Sequence, residues 1–157
     1  MEYTRLYNFV GPIKKYWETW ENTDGSFTIH WGKLGHVGET KIVKNSLFNK
    51  AVKSVSKAMT ERRECGFAEF YDISVLLIEY EVDGFGTDED LKKRHDLQDR
   101  MDEILGWTGL GHCDGGSVGS GTMEVCTFVV DADIAKSVIS KDLKDTKFDD
   151  YSRIYVE

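Results

Sequence analysis

The sequence predicts an α+β protein made of two consecutive units. Residues 1–71 show short β-rich segments followed by one helical segment, whereas residues 72–157 alternate strand-like and helix-like segments. The charge changes at the same place: residues 1–71 contain 11 Lys/Arg and 8 Asp/Glu, a net of +3, and residues 72–157 contain 9 and 20, a net of −11. We therefore expect a domain boundary near residue 71 and different electrostatic partners on its two sides.

An antiparallel sheet is predicted to open the first unit. Residues 16–21 and 26–31 are β-rich, and the Asp24-Gly25 turn between them suits a tight hairpin. Phe27, Ile29 and Trp31 alternate with polar residues, as in a strand with one buried face. Glycine-rich residues 32–38 allow a second reversal before a strand at 39–43.

An amphipathic helix is predicted next, capped by Asn45 or Ser46 and ending near Gly66. Its apolar side chains recur at helical spacing and are Leu47, Phe48, Ala51, Val52, Val55, Ala58 and Met59. Another side carries lysines at i, i+3 and i+7, which are Lys50, Lys53 and Lys57. That stripe is either a solvated helix face or a surface for a polyanion.

The second unit is predicted to have the order β-α-β-α-β. A strand at 73–82 precedes a helix capped by Thr87, and a strand at 123–130 precedes a helix capped by Asp131 or Asp133. The last strand is expected at residues 151–156. The buried stripe of the first of these helices should be Leu91, Leu97, Met101, Ile104 and Leu105. This order, with room for one more strand in the glycine-rich residues 109–121, resembles a small ferredoxin-like sandwich.

The first unit also resembles the WGR domain family. The resemblance covers about residues 1–70 and rests on an ordered set of motifs: Tyr16-Trp17-Glu18, then Ile29-His30-Trp31-Gly32-Lys33-Leu34-Gly35, Gly38, a helix with Ala51, and Gly66-Phe67. WGR domains occur in DNA-dependent poly(ADP-ribose) polymerases, where the domain lies beside a DNA end, and in small bacterial proteins. The resemblance implies an antiparallel sheet with one main helix.

Nucleic acid is the partner that this resemblance implies. Trp31 would lie near the sugar-phosphate backbone, Gly32 would permit close approach, and Lys33 would be the basic contact. Lys33 stands where the family usually has Arg, so it offers a point charge and no planar fork. Trp31 is also in phase with Phe27 and Ile29, and a core position is the alternative for it. Further basic contacts are expected from Lys41, Lys44, Lys50 and Lys53.

Candidate sites in the second unit are weaker. The stretch 109–121 faintly resembles the loop and strand of small bacterial immunity-type α+β proteins, and it suits either a binding loop or a bulged hairpin. The binding candidates there are Asp114, Ser117, Ser120 and Thr122. His112 and Cys113 have no partners at metal-ligand or catalytic spacing, so we expect no catalytic residue, no metal and no cofactor.

The sequence thus favours a non-enzymatic accessory protein. Its first unit is expected to bind the DNA or RNA backbone with low sequence specificity, and its acidic half to contact a basic protein. The alternative is an immunity-type protein that neutralises a basic toxin or nuclease through its second half. The carboxylates for that role are Asp88, Glu89, Asp90, Asp96, Asp99, Asp102 and Glu103. We expect a cytoplasmic protein without a membrane partner, since no apolar run reaches the roughly 20 residues of a spanning helix.

Overall fold

The computed structural model describes residues 3–157, and over this range it contains three α-helices and two antiparallel sheets of four strands each. Met1 and Glu2, the first residues of the predicted first unit, lie outside the described range. The chain divides into two compact units between Phe70 and Tyr71. Within the described residues, no helix is long and apolar enough to cross a membrane.

The first unit is a meander with one helix. Its sheet has the order β1-β2-β3-β4, and every neighbouring pair is antiparallel. Its elements are β1 (Thr4–Asn8), β2 (Lys15–Glu21), β3 (Phe27–Lys33), β4 (Glu39–Val43) and α1 (Ala51–Glu64). The three strands predicted from residues 16–43 are confirmed. β1 was not predicted, because its five residues show no clear alternation of apolar and polar side chains.

One face of this sheet forms an apolar core with α1. The cluster of buried residues contains Leu6, Trp17, Phe27, Ile29, Ala51, Val55 and Phe67. Strand residues two apart share a face, so the alternation at Phe27, Ile29 and Trp31 places all three on the helix side. Trp31 packs against the cluster while keeping part of its surface exposed.

The predicted start of α1 is wrong. The helix begins at Ala51, and Leu47 and Phe48 lie in the preceding loop, 97% and 98% exposed. The N-cap residue is Lys50 and neither Asn45 nor Ser46. Asn45 still bonds to the start of the helix, because its side-chain oxygen accepts the Ala51 N–H at 2.9 Å. The Ser46 hydroxyl accepts the Asn49 N–H at 3.1 Å, and such local bonds compete with helix formation.

The second unit contains four strands and two helices. Its sheet has the order β6-β7-β5-β8 and is antiparallel throughout. The elements are β5 (Ser74–Glu81), α2 (Asp88–Trp107), β6 (Gly111–Gly119), β7 (Thr122–Val129), α3 (Ala132–Leu143) and β8 (Arg153–Val156). The predicted order β-α-β-α-β left room for one more strand in residues 109–121, and β6 is that strand. It was not part of the predicted order itself because a nine-residue run with four glycines has little intrinsic strand preference.

Both helices of this unit begin with the caps expected from the sequence. Thr87 forms a capping box with Asp90, and the Asp131 side chain accepts the Ile134 N–H at 2.9 Å. Leu97 belongs to the buried side of α2 as predicted, together with Met101 and Leu105. Leu91 does not, because it lies in the first turn of the helix and is 40% exposed.

Candidate nucleic-acid interface

The Trp31-Gly32-Lys33 segment forms the end of β3. Trp31 pairs with Trp17 on β2 and packs against the core cluster, whereas Lys33 is exposed. The structure thus gives Trp31 a packing role and leaves part of its ring accessible to a ligand. Glu39, which is exposed, is the residue opposite Trp31 on β4.

Two glycines, Gly32 in this segment and Gly38 in the turn that follows it, allow close packing of the backbone. A Cβ at Gly32 would lie 2.9 Å from the Gly38 Cα and 3.1 Å from the Tyr16 hydroxyl oxygen. A Cβ at Gly38 would overlap the Trp31 carbonyl oxygen. The turn between β3 and β4 therefore folds back onto β3 and Tyr16, which explains two of the glycines without reference to a ligand.

Behind this turn lies a buried polar network that the sequence did not reveal. Arg5, Glu18 and His30 are cross-strand neighbours in one row over β1, β2 and β3. Arg5 Nε donates to Glu18 Oε2 at 2.6 Å, and His30 Nδ1 lies 2.6 Å from Glu18 Oε1. Since a carboxylate only accepts, Nδ1 carries the hydrogen. The Tyr3 hydroxyl also donates to Glu18.

The network continues to the turn through Tyr16. Its hydroxyl lies 3.1 Å from His30 Nε2 and donates to the His36 carbonyl oxygen at 3.0 Å. Burial raises the pKa of Tyr16 to about 12, and the charge of Glu18 acts in the same direction. Glu18 and His30 are only 3% and 0% exposed, so these two side chains cannot reach a ligand. Its role is to hold the turn beside Trp31-Gly32-Lys33.

Lys15 is a candidate contact that the sequence analysis missed. It lies directly opposite Lys33 in the β2–β3 ladder, and both side chains are exposed. Neither lysine forms an ion pair with any residue in the range 3–157. Like charges directly opposite each other destabilise a sheet. The pair therefore does not contribute to the stability of the fold, and its two positive charges suit the binding of an anion.

The other predicted lysines form a second basic region. Lys41 lies on β4 opposite Ile29, four residues and about 13 Å along the strand from Lys33. Lys44, Lys50 and Lys53 follow in the loop and the first turn of α1, all exposed. Lys50 is the N-cap residue and not part of a helical stripe. The structure therefore divides the predicted lysines between two regions: Lys33, paired with Lys15, and a second region on β4, the loop and the start of α1.

The glycine-rich stretch of the second unit is a bulged hairpin. The register shifts between Cys113 and Gly115, which places Asp114 at a β-bulge. Ser120 and Gly121 form the turn with φ of 55° and 88°, a pattern typical of a type I′ hairpin. Ser117 faces Glu124 across the ladder. The four predicted binding residues are thus spread along the hairpin.

A cavity of about 560 Å³ lies beside this hairpin, and of the four predicted residues Thr122 alone lines it. Its other lining residues are largely acidic: Glu79, Glu81, Val82, Asp83, Thr87, Asp90 and Gly121. Glu79 is engaged by Arg153 at 2.8 Å, and Asp90 by the Thr87 cap. Part of the carboxylate lining is therefore already used within the unit.

Internal ion pairs also reduce the predicted acidic surface. Asp96 accepts from Lys92 at 2.8 Å and from Lys147 at 2.6 Å. The hydrogen bonds from Lys147 and Lys92 lower the pKa of Asp96 to about 2. Asp102 accepts the Cys113 N–H at 3.0 Å. The members of the predicted acidic set that keep exposed carboxylates without an ion pair inside residues 3–157 are Asp88, Glu89, Asp99, Asp102 and Glu103.

His112 and Cys113 do not form a reactive pair. His112 packs edge-on against Phe128, with ring centroids 5.5 Å apart. Burial raises the pKa of the Cys113 thiol, which disfavours the thiolate that a nucleophile or metal ligand needs. Among the described residues, no group of three or more His, Cys, Asp or Glu side chains is arranged to hold a metal ion.

Comparison of the chain with protein-family models, with curated proteins and with solved structures gives no match.

Proposed function

We propose that this chain is a non-enzymatic accessory protein whose first unit is a WGR-type module that binds the nucleic-acid backbone. The observation that carries the proposal is the Lys15/Lys33 pair beside the partly exposed ring of Trp31. A four-stranded antiparallel sheet with one helix, and glycines that hold the turn after Trp31, supports the WGR-type arrangement. Two adjacent lysines and a ring edge suit a phosphate-sugar backbone, and they offer no pattern for reading bases.

Neutralising the lysine pair should weaken binding and reduce its dependence on salt. For the full-length Lys15→Gln/Lys33→Gln variant we expect the slope of log K against log [salt] to fall in magnitude by up to about 2. The measurement is fluorescence anisotropy with a labelled duplex at several salt concentrations. The matched control is Lys136→Gln/Lys141→Gln, which removes the same charge from the exposed side of α3. Equal slopes for the two variants would contradict the role of Lys15 and Lys33.

For the second unit we propose a ferredoxin-like arrangement that contacts a basic protein. The order β5-α2-β6-β7-α3-β8, with β5 between β7 and β8 in the sheet, supports the split β-α-β arrangement. Four exposed carboxylates on α2 support the contact, because they form no ion pair within the described chain: Asp88, Glu89, Asp99 and Glu103. A basic toxin or nuclease as this partner would make the protein immunity-type, which is the second candidate function.

Capture experiments distinguish a specific partner from nonspecific charge. The full-length protein should retain a basic protein that a variant loses when the four α2 carboxylates are changed to amides. The matched control changes four other acidic residues, Asp133, Asp145, Asp149 and Glu157, which are also exposed. Equal retention by the wild type and the α2 variant would argue against this surface. A neighbouring gene that encodes a basic toxin or nuclease would favour the immunity-type function over the accessory one.

A further inference from the structure

Two large apolar side chains project almost completely into solvent from the first unit. Leu47 and Phe48 lie in the loop between β4 and α1, with 97% and 98% of their surface exposed. Isolated exposed apolar residues are common on proteins. An adjacent pair at a loop tip leaves more apolar surface in water than a single residue does, and this exposure suggests a partner.

Hydrogen bonds hold the loop in a defined shape. Ser46 N–H donates to the Asn49 carbonyl oxygen at 2.9 Å, and Asn49 N–H donates to the Ser46 hydroxyl at 3.1 Å. Asn49 Nδ2 donates to the Ser54 hydroxyl at 2.8 Å, which ties the loop to the helix. The side chains of Leu47 and Phe48 are therefore presented by an ordered turn, and little conformational entropy is lost when they bind.

The chain segment that contains this tip is basic. Residues 40–60 contain five lysines and no Asp or Glu, a net of +5 in a chain whose net charge is −8. Four of these lysines, Lys41, Lys44, Lys50 and Lys53, have no ion pair to a residue in the described range. Lys44 does lie near enough to Asp24 to help lower the pKa of that carboxyl. An apolar tip in a lysine-rich segment complements a ligand that has both apolar faces and negative charges.

We propose that the Leu47-Phe48 tip binds unpaired nucleotides, with Phe48 stacking on a base and the neighbouring lysines contacting phosphates. The inference rests on the proposed function and names its ligand as nucleic acid with a single-stranded segment. Stacking on an aromatic ring tolerates any base, since every base has a π face. Lysine is depleted at protein–protein interfaces, and two side chains are a small apolar surface for membrane binding, so the lysine-rich tip favours nucleic acid over either partner.

The test compares two labelled DNA hairpins that differ only in a single-stranded extension of about six thymidines. The wild-type full-length protein should bind the extended hairpin more tightly. Phe48→Ala should weaken binding to that hairpin by about 5- to 150-fold and leave the blunt hairpin nearly unchanged. Phe48→Trp should preserve the preference, whereas Phe48→Leu should lose it because leucine is apolar but has no ring. Val10→Ala is the control, since Val10 is also exposed in the first unit, at 82%.

The possible outcomes distinguish a failure of this inference from a failure of the proposed nucleic-acid-binding function. If Phe48→Ala leaves the ratio of the two affinities unchanged while Lys15→Gln/Lys33→Gln still weakens binding, the tip is not a nucleotide site and the proposed function stands. If the wild type binds neither hairpin at low salt, both are wrong. Binding to phosphatidylserine vesicles that survives Phe48→Leu but not Phe48→Ala would also overturn the inference, in favour of a membrane surface. Phe48 lies in solvent, so unchanged circular dichroism is expected for all variants.

Discussion

Replacing Glu18 with leucine is expected to lower the free energy of unfolding of the first unit by about 3–5 kcal/mol. The carboxylate is 3% exposed and is the common acceptor for Arg5, Tyr3 and His30. Its removal leaves the Arg5 guanidinium without its counter-charge in a largely dehydrated position. Urea unfolding followed by tryptophan fluorescence measures the change, because three of the four tryptophans, Trp17, Trp20 and Trp31, lie in this unit.

The charge explanation can be separated from lost packing. Adding Arg5→Met to Glu18→Leu removes the unpaired cation and should recover part of the loss, since apolar replacement of a whole buried ion pair is often neutral. Glu39→Leu, on β4 of the same sheet but exposed, should change the free energy of unfolding by less than about 0.5 kcal/mol. A loss below about 1 kcal/mol for Glu18→Leu would show that the network contributes little to the fold.

The sequence predicted those elements whose signals are local. The Asp24-Gly25 hairpin, the Thr87 capping box and the Asp131 cap each depend on residues within a few positions of one another, and all three are present. The predicted start of α1 was wrong because a local pattern was misleading there. Leu47 and Phe48 fit a helical apolar pattern, but side-chain hydrogen bonds of the neighbouring Ser46 and Asn45 stabilise a turn at these positions, and the helix begins later.

Features that depend on the pairing of strands were harder to predict. The row Arg5-Glu18-His30 joins residues from three strands, and no spacing along the chain marks it. Lys15 belongs with these features: its pairing with Lys33 depends on a register that the Asp24-Gly25 turn alone does not fix, and the resemblance concerned only the Trp31-Gly32-Lys33 motif. For the candidate site, the local motif therefore points to residues on β3 and carries no information about their cross-strand neighbours.

The two faces of the first sheet carry different kinds of residues. The α1 side contains the apolar core, and the opposite side contains the charged network and supports the turn after β3. Three of the residues proposed to bind nucleic acid lie at strand ends or in a loop, where neither role requires them: Lys15, Lys33 and Phe48. Substitutions at Lys15, Lys33 or Phe48 should therefore change binding without unfolding the unit, whereas substitutions in the network or the turn should change stability first.

Replacing Gly38 with alanine is expected to lower the free energy of unfolding by about 3 kcal/mol or more, at the upper end of overpacking effects. An added Cβ would overlap the Trp31 carbonyl oxygen and lie close to the Tyr16 hydroxyl. The first of these is backbone, which cannot rotate away. The turn would have to move from β3, and with it the contact between Tyr16 and the His36 carbonyl. The same fluorescence-detected urea unfolding measures the loss.

Gly25→Ala separates this overlap from the ordinary conformational effect of losing a glycine. Gly25 has φ of 76° in the β2–β3 turn, and nothing lies within 4 Å of an added Cβ. Its replacement should therefore cost only about 1–2 kcal/mol of backbone strain. A Gly38→Ala loss no larger than that of Gly25→Ala would mean that the turn yields easily and does not fix the Trp31 backbone. A larger loss, accompanied by weaker duplex binding in the folded variant at low temperature, would link the packing of this turn to the lysine pair on the neighbouring strand ends.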